Sequence, residues 1–157
     1  MARLHTYHTE VTWTGNLGEG TRHYARYRRD HEVTADGPPP IPASSDPAFR
    51  GDPKRWNPEQ LLLASLSQCH LLWYLHLCAV NRVVVTDYRD HAEATMSEDG
   101  NGGRFTEAVL RPEVQVATAE MVERATALHA DAHRACFVAN SVNFPVRHQP
   151  TVTVRAD

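Results

Sequence analysis

Three cysteines, Cys69, Cys78 and Cys136, are the residues of this 157-residue chain best suited to covalent chemistry. A cysteine is a nucleophile as a thiolate, which needs a cation or hydrogen-bond donors beside it and a route for substrate. Once oxidised to a sulfenic acid it condenses with a nearby thiol, so a pair of cysteines can turn over without overoxidation. Cys69 lies in an apolar stretch with Gln68 and His70 as neighbours. Free cysteine is also among the most buried residue types, and simple packing is the plainer reading of any one of them. Cys78 follows Cys69 by nine residues, roughly 13 Å along a straight helix, which makes it a poor partner and a packing residue. Cys136 is the second thiol of interest, although spacing alone does not put it within disulfide range of Cys69.

The ten histidines raise a different chemistry. His129, His133 and Cys136 fall at i, i+4 and i+7, near one helix face, where they could ligate zinc. No CxxC or HExxH accompanies them and no fourth ligand is evident, so a metal is not expected. His70 and His76 read as core or interface histidines, with His70 placed to hydrogen-bond near a Cys69 thiolate.

Two helices must carry these side chains. Asn57 is a good N-cap, Pro58 suits the first helical position, and Gln60 completes a capping box, so a helix is expected from there to about Val80. A second helix after Thr118 places Met121, Val122, Ala125, Leu128, Ala132, Ala135 and Cys136 on one stripe, with Glu120, Glu123, Arg124, Asp131 and Arg134 facing away. Around them, alternation predicts strands over His5 to Thr14 and Thr21 to Val33, joined by the turn at Asn16 to Gly20. On the second of these, Arg29 falls on the inner face. The Pro- and Gly-rich stretch from Asp36 to Trp56 reads as a long loop. Further strands are expected over Val83 to Tyr88, His91 to Ser97 and Arg104 to Val116, the last interrupted by Pro112. A closing strand runs from Asn143 to Val154. The order β-β-α-β-β-α-β predicts an α+β fold, one domain spanning residues 1–157.

Bulk properties narrow the function. The net charge of −3 is spread over interleaved acids and bases, leaving no footprint for nucleic acid or anionic lipid. Leu61 to Val80 is long and uncharged enough to cross a bilayer, but Ser65, Ser67, Gln68, His70 and His76 make a buried core helix the expectation. The opening MARLHTYHTEV has no apolar core segment, and three cysteines make no disulfide framework, so a cytoplasmic setting is expected.

The run Asn57-Pro58-Glu59-Gln60-Leu61-Leu62, with Cys69 ten residues after the glutamate, resembles the first-cysteine signature of the OsmC/Ohr family. Ala132-His133-Arg134-Ala135-Cys136, followed by Asn140 and a closing strand, resembles the second, and Thr12-Trp13-Thr14-Gly15 is similar to the family's opening. That resemblance implies an OsmC-like fold of antiparallel sheets on two long helices, in an intertwined homodimer with active sites at the subunit interface. It implies a thiol peroxidase acting on organic hydroperoxides without metal or flavin. Cys69 would be the peroxidatic thiol and Cys136 the resolving one, with a lipoyl-type dithiol as reductant. An arginine would hold Cys69 as thiolate and Glu59 would orient that arginine.

Glu59 and Cys69 are about 15 Å apart along one continuous helix. Either the helix breaks between them or Glu59 of one chain serves Cys69 of another. The turn at Asn16 to Gly20 lacks the arginine that the family pattern places there, so the activating role is assigned to Arg29, with Arg50 and Arg55 as runners-up. His70 and Phe137, directly after the two cysteines, also depart from the pattern and mark a divergent branch. The alternative is a non-catalytic small-molecule or metal-binding protein on the same fold, with Leu62, Leu66, Leu72, Trp73 and Tyr74 lining an apolar pocket. A binder has no use for a disulfide-forming pair, whereas the enzyme requires one.

Overall fold

The computed structural model describes residues 3–100 and 102–156, and the chain divides into two compact units at Leu61/Leu62. In the first unit, β1 (Glu10–Trp13), β2 (His31–Thr34) and β3 (Ile41–Ala43) form an antiparallel sheet in that order. Only four residues of the expected first strand pair, because β2 offers only His31 to Thr34 opposite them. The expected second strand from Thr21 is corrected to a run of turns ahead of His31. Gly18 and Gly20 adopt φ of 111° and 58°, and bonds such as Arg26 N–H to the His23 carbonyl, 2.9 Å, close local turns. The alternation of side chains there had no partner strand to reward it.

Gly15 sits where the loop returns on itself, with Arg28 N–H donating to its carbonyl at 2.9 Å. A Cβ at Gly15 would lie 1.9 Å from the Arg28 carbonyl oxygen, so only glycine fits. The segment read as a bare loop also contains β3 and a short 3-10 turn at Pro47–Phe49, capped by Asp46 Oδ1, which accepts from Ala48 N–H at 2.7 Å.

Helix α1 spans Pro58–Val80. Its start is the reciprocal capping box: Gln60 N–H donates to Asn57 Oδ1 at 2.8 Å, and Asn57 N–H to Gln60 Oε1 at 3.3 Å. Leu66, His70, Tyr74 and Cys78 recur every four residues and are its buried stripe. The helix is long and apolar enough to cross a membrane by composition alone. Here that stripe faces a protein core, and Ser67 Oγ donates to Asp90 Oδ2 at 2.5 Å.

The second unit has two mixed sheets rather than purely antiparallel ones. In one, β7 (Pro112–Val116) lies between antiparallel β4 (Val85–Asp90) and parallel β9 (Thr151–Val154). In the other, β6 (Gly102–Leu110) lies between antiparallel β5 (Glu93–Asp99) and parallel β8 (Val146–His148). The single strand expected over Arg104 to Val116 is therefore two strands in different sheets. Pro112, with no N–H to donate, opens the second of them. Asp90 fixes this corner by accepting from Arg111 N–H at 2.7 Å. The closing segment is likewise divided into β8 and β9.

Helix α2 (Val122–Ala135) follows a 3-10 turn at Ala119–Met121 and buries Ala125, Leu128, His129 and Ala132. Ala125, Leu128 and Ala132 join Tyr74, Cys78, Val83, Val114 and Val116 in the core of the unit. Of the predicted stripe, Ala125, Leu128, Ala132 and Cys136 are buried and Met121, Val122 and Ala135 are half-buried, and His129 is buried with them.

Candidate functional site

Cys69 and Cys136 are brought together within the second unit. Cys69 is half-buried on α1, whereas Cys136 is 1% exposed and sits at the C-terminal end of α2 with extended backbone, φ −66° and ψ 111°. Burial pushes the Cys136 thiol up to about 11, and its hydrogen bond with the Cys69 thiol pushes the same way. Backbone N–H groups oppose this: Ala139 N–H donates to Cys136 Sγ at 3.4 Å, and Val138 contributes similarly. At neutral pH Cys136 is therefore a protonated thiol beside the more accessible Cys69. Cys78 is elsewhere, buried in the core against Tyr74, with its thiol also pushed up by burial.

An aromatic pair adjoins the thiols. Trp73 lies four residues beyond Cys69, on the same face of α1. Its ring meets that of Phe137, the residue after Cys136, edge-on with centroids 5.4 Å apart. Phe137 is largely exposed, so this apolar surface is open to an approaching molecule.

Behind the thiols lies a histidine cluster whose arrangement spacing did not reveal. His70 Nε2 and His129 Nδ1 are 3.0 Å apart, and the two rings are within 6° of parallel. Tyr74 stacks on His129 at 3.8 Å, and His148 of β8 lies 5.7 Å from His70 and 5.2 Å from His133 between ring centroids. Burial, with neighbouring histidines adding to it, lowers His70 to about 4 and His129 to about 3. Both are neutral at physiological pH, one ring donating and the other accepting. Thus His70 faces His129, and His129 is turned to His70 rather than grouped with His133 and Cys136. Among the described residues, no three His, Cys, Asp or Glu side chains form a group that could hold a metal ion. The period-four stripe of α1 already contained the signal for His70; nothing in the spacing named His129 or His148 as its neighbours.

Arg29 and Glu59 belong to the first unit. Arg29 is not on a strand: its guanidinium donates to the carbonyls of Tyr27 at 2.7 Å and Tyr24 at 2.9 Å. It also lies over both tyrosine rings, 4.1 Å and 4.6 Å from their centroids. Arg50 stacks more distantly on Tyr24, at 5.8 Å, and Arg55 pairs with Asp52 at 3.8 Å. Glu59 is in the first turn of α1, and its Oε2 is buried without a hydrogen-bond partner among the described residues.

The model of the OsmC-like protein family matches residues 51–151. Among solved structures, an OsmC-like protein of unknown function from Vibrio cholerae is 30% identical with a TM-score of 0.84, covering 94% of this chain and 100% of that one. An organic hydroperoxide resistance protein OsmC from Legionella pneumophila is 21% identical, TM-score 0.70, covering 98% and 100%. An organic hydroperoxide resistance protein from Elizabethkingia anophelis is 20% identical, TM-score 0.71, covering 99% and 100%. No curated protein matches the chain.

Proposed function

This chain belongs to the OsmC-like protein family, and from that premise we propose that it is a thiol peroxidase for organic hydroperoxides, with Cys69 as the attacking thiol and Cys136 as the resolving one. The observation that carries the reading is the placement of a buried thiol, Cys136, beside the half-buried thiol of Cys69. The Cys69 thiolate attacks the terminal peroxide oxygen, the O–O bond breaks, and the alkoxide leaves as an alcohol after taking a proton. The resulting sulfenic acid is attacked by Cys136, which releases water and leaves a disulfide. A dithiol of lipoyl type then restores both thiols and becomes a disulfide itself. The Trp73–Phe137 surface suits an organic rather than an inorganic peroxide.

The reading includes a homodimer. Helix α1 is unbroken from Pro58 to Val80, so Glu59 and Cys69 stay about 15 Å apart along it and Glu59 is assigned to the site of a second copy. Large apolar side chains left exposed on the single chain, among them Leu72, Leu75 and Val80 on α1 and Leu4, Tyr7 and Val11 near its start, call for such a cover. Arg29, already oriented by two carbonyls and with donors to spare, is assigned to hold the thiolate, with Glu59 to orient it. Both units then act as one domain, in the cytoplasm, where thiols stay reduced.

The test is steady-state consumption of cumene hydroperoxide and hydrogen peroxide with a dithiol reductant. Dithiol-dependent turnover that favours cumene hydroperoxide, is abolished in Cys69→Ser and impaired in Cys136→Ser, supports the reading. Absence of turnover with both thiols unreactive overturns it in favour of a binding role.

A further inference from the structure

We propose that the His70–His129 hydrogen bond is a clamp that sets the two thiol-bearing helices for disulfide closure, which makes both histidines positioning residues for the resolving step and not for the attack on peroxide. The inference deepens the peroxidase reading and rests on it.

The clamp joins the helices close to the chemistry. His70 is the residue after Cys69 on α1, and His129 precedes Cys136 by seven residues, two turns back on the same face of α2. Among the described residues, and apart from the pairing of the two thiols themselves, His70 to His129 is the one side-chain hydrogen bond that runs directly from α1 to α2. The other polar tie nearby, Arg124 to Asn81 Oδ1 at 2.6 Å, sits near the start of α2, away from Cys136. A directional bond of 3.0 Å between rings within 6° of parallel restrains the rotation of each helix about its axis, adding an angular preference that non-directional methyl contacts lack. Tyr74, stacked at 3.8 Å on His129, holds that ring in its plane. Both imidazoles are essentially inaccessible, 1% and 0% exposed, so the bond faces no competition from water and losing it strands a buried polar atom.

Disulfide closure has little tolerance, because the sulfurs must meet at about 2.0 Å with a dihedral near 90°. Peroxide attack asks less of the crossing of α1 and α2, since it needs Cys69, the arginine that holds its thiolate and a mobile substrate, but not Cys136. A slack helix pair should therefore leave sulfenic acid formation intact and slow its resolution. In resolution the Cys136 sulfur attacks the sulfenic sulfur, the S–O bond breaks, and the thiol proton leaves with the hydroxyl as water. An unresolved sulfenic acid instead takes oxygen from a second hydroperoxide molecule, giving a sulfinic acid and one more alcohol. The partition between disulfide and sulfinic acid thus reads the clamp directly.

The experiment compares His129→Asn with His129→Gln in the full chain. The Asn amide occupies the place of imidazole Nδ1 and can meet His70 Nε2; the Gln amide lies one bond further out and cannot. Both variants stay polar, and circular dichroism verifies their fold before any rate is taken. Peptide mass spectrometry follows Cys69 after cumene hydroperoxide, with a dimedone-type probe counting sulfenic acid. We expect native-like sulfenic acid formation in both variants. Disulfide formation should be native-like in His129→Asn and about tenfold slower in His129→Gln, with sulfinic acid rising to match; a tenfold loss corresponds to about 1.4 kcal/mol. Equal partition in the two variants overturns the clamp, as does an equal slowing of both steps in His129→Gln. Oxidation by diamide, which closes the Cys69–Cys136 disulfide without a peroxide, repeats the comparison independently of the activity. A native protein that closes under diamide but forms no sulfenic acid with hydroperoxide refutes the peroxidase reading, while the Asn and Gln rates still decide the clamp.

Discussion

Acid should undo this fold through its buried imidazoles. His70 and His129 titrate near 6.5 when unfolded but are held down to about 4 and about 3 in the core. A depressed native value means the stability is present above the unfolded value and is lost as pH falls toward the native ones, because only the unfolded chain takes up the protons. Lowering the pH to about 4.5 costs on the order of 2–3 kcal/mol for each histidine, and several kcal/mol for the interacting pair. A domain's whole stability is about 5–15 kcal/mol. His148 is lowered by burial and by His133, and adds in the same direction. The assay is urea unfolding across about pH 4.5 to 7.5, for the native chain and for a His70→Gln/His129→Asn double variant. The native midpoint should fall steeply below about pH 6.5, and the variant should lose most of that slope because its amides do not titrate. A native midpoint that stays constant over this range, or an identical fall in the double variant, refutes the reasoning.

Three further outcomes follow from the same structure. Leu128→Ala empties a fully buried site in the core between α2 and its neighbours and should lower stability by about 3 kcal/mol in chemical denaturation. Asn57→Ala removes the acceptor for Gln60 N–H and half of the capping box, costing about 1 kcal/mol in thermal unfolding at unchanged pH. Cys136, raised from 9.0 to about 11, should carry about 100-fold less thiolate than an ordinary thiol at neutral pH. Peptide-resolved iodoacetamide labelling of the reduced protein should show its rate still climbing beyond about pH 9, where an ordinary thiol levels off.

What could be read from the residues was local. Asn57, Pro58 and Gln60 announced the start of α1 because a capping box is closed by residues three apart, and α2's apolar stripe was visible because helical period sorts buried from exposed positions without outside help. The strand readings erred where pairing is decided at a distance. Residues from Thr21 alternate well enough for a strand, but the run folds into turns in which Arg29 bonds back to the Tyr24 and Tyr27 carbonyls, and alternation without a partner has nothing to bury against. The division of Arg104 to Val116 between two sheets, and the parallel docking of β8 and β9 against β6 and β7, are non-local in the same sense. The two cysteines were singled out in the sequence only by the family motifs around them. Their contact, and the imidazole bond between the helices that bear them, depend on how α1 and α2 cross, which no spacing along one chain encodes.

The most direct test of the central claim is a single-turnover oxidation of the fully reduced protein with one equivalent of cumene hydroperoxide, followed by non-reducing digestion and mass spectrometry. The account predicts one product above all others, the peptide pair joined through Cys69 and Cys136, with Cys78 still a free thiol. Cys69 and Cys136 recovered as unmodified thiols, or a disulfide that includes Cys78, would contradict it.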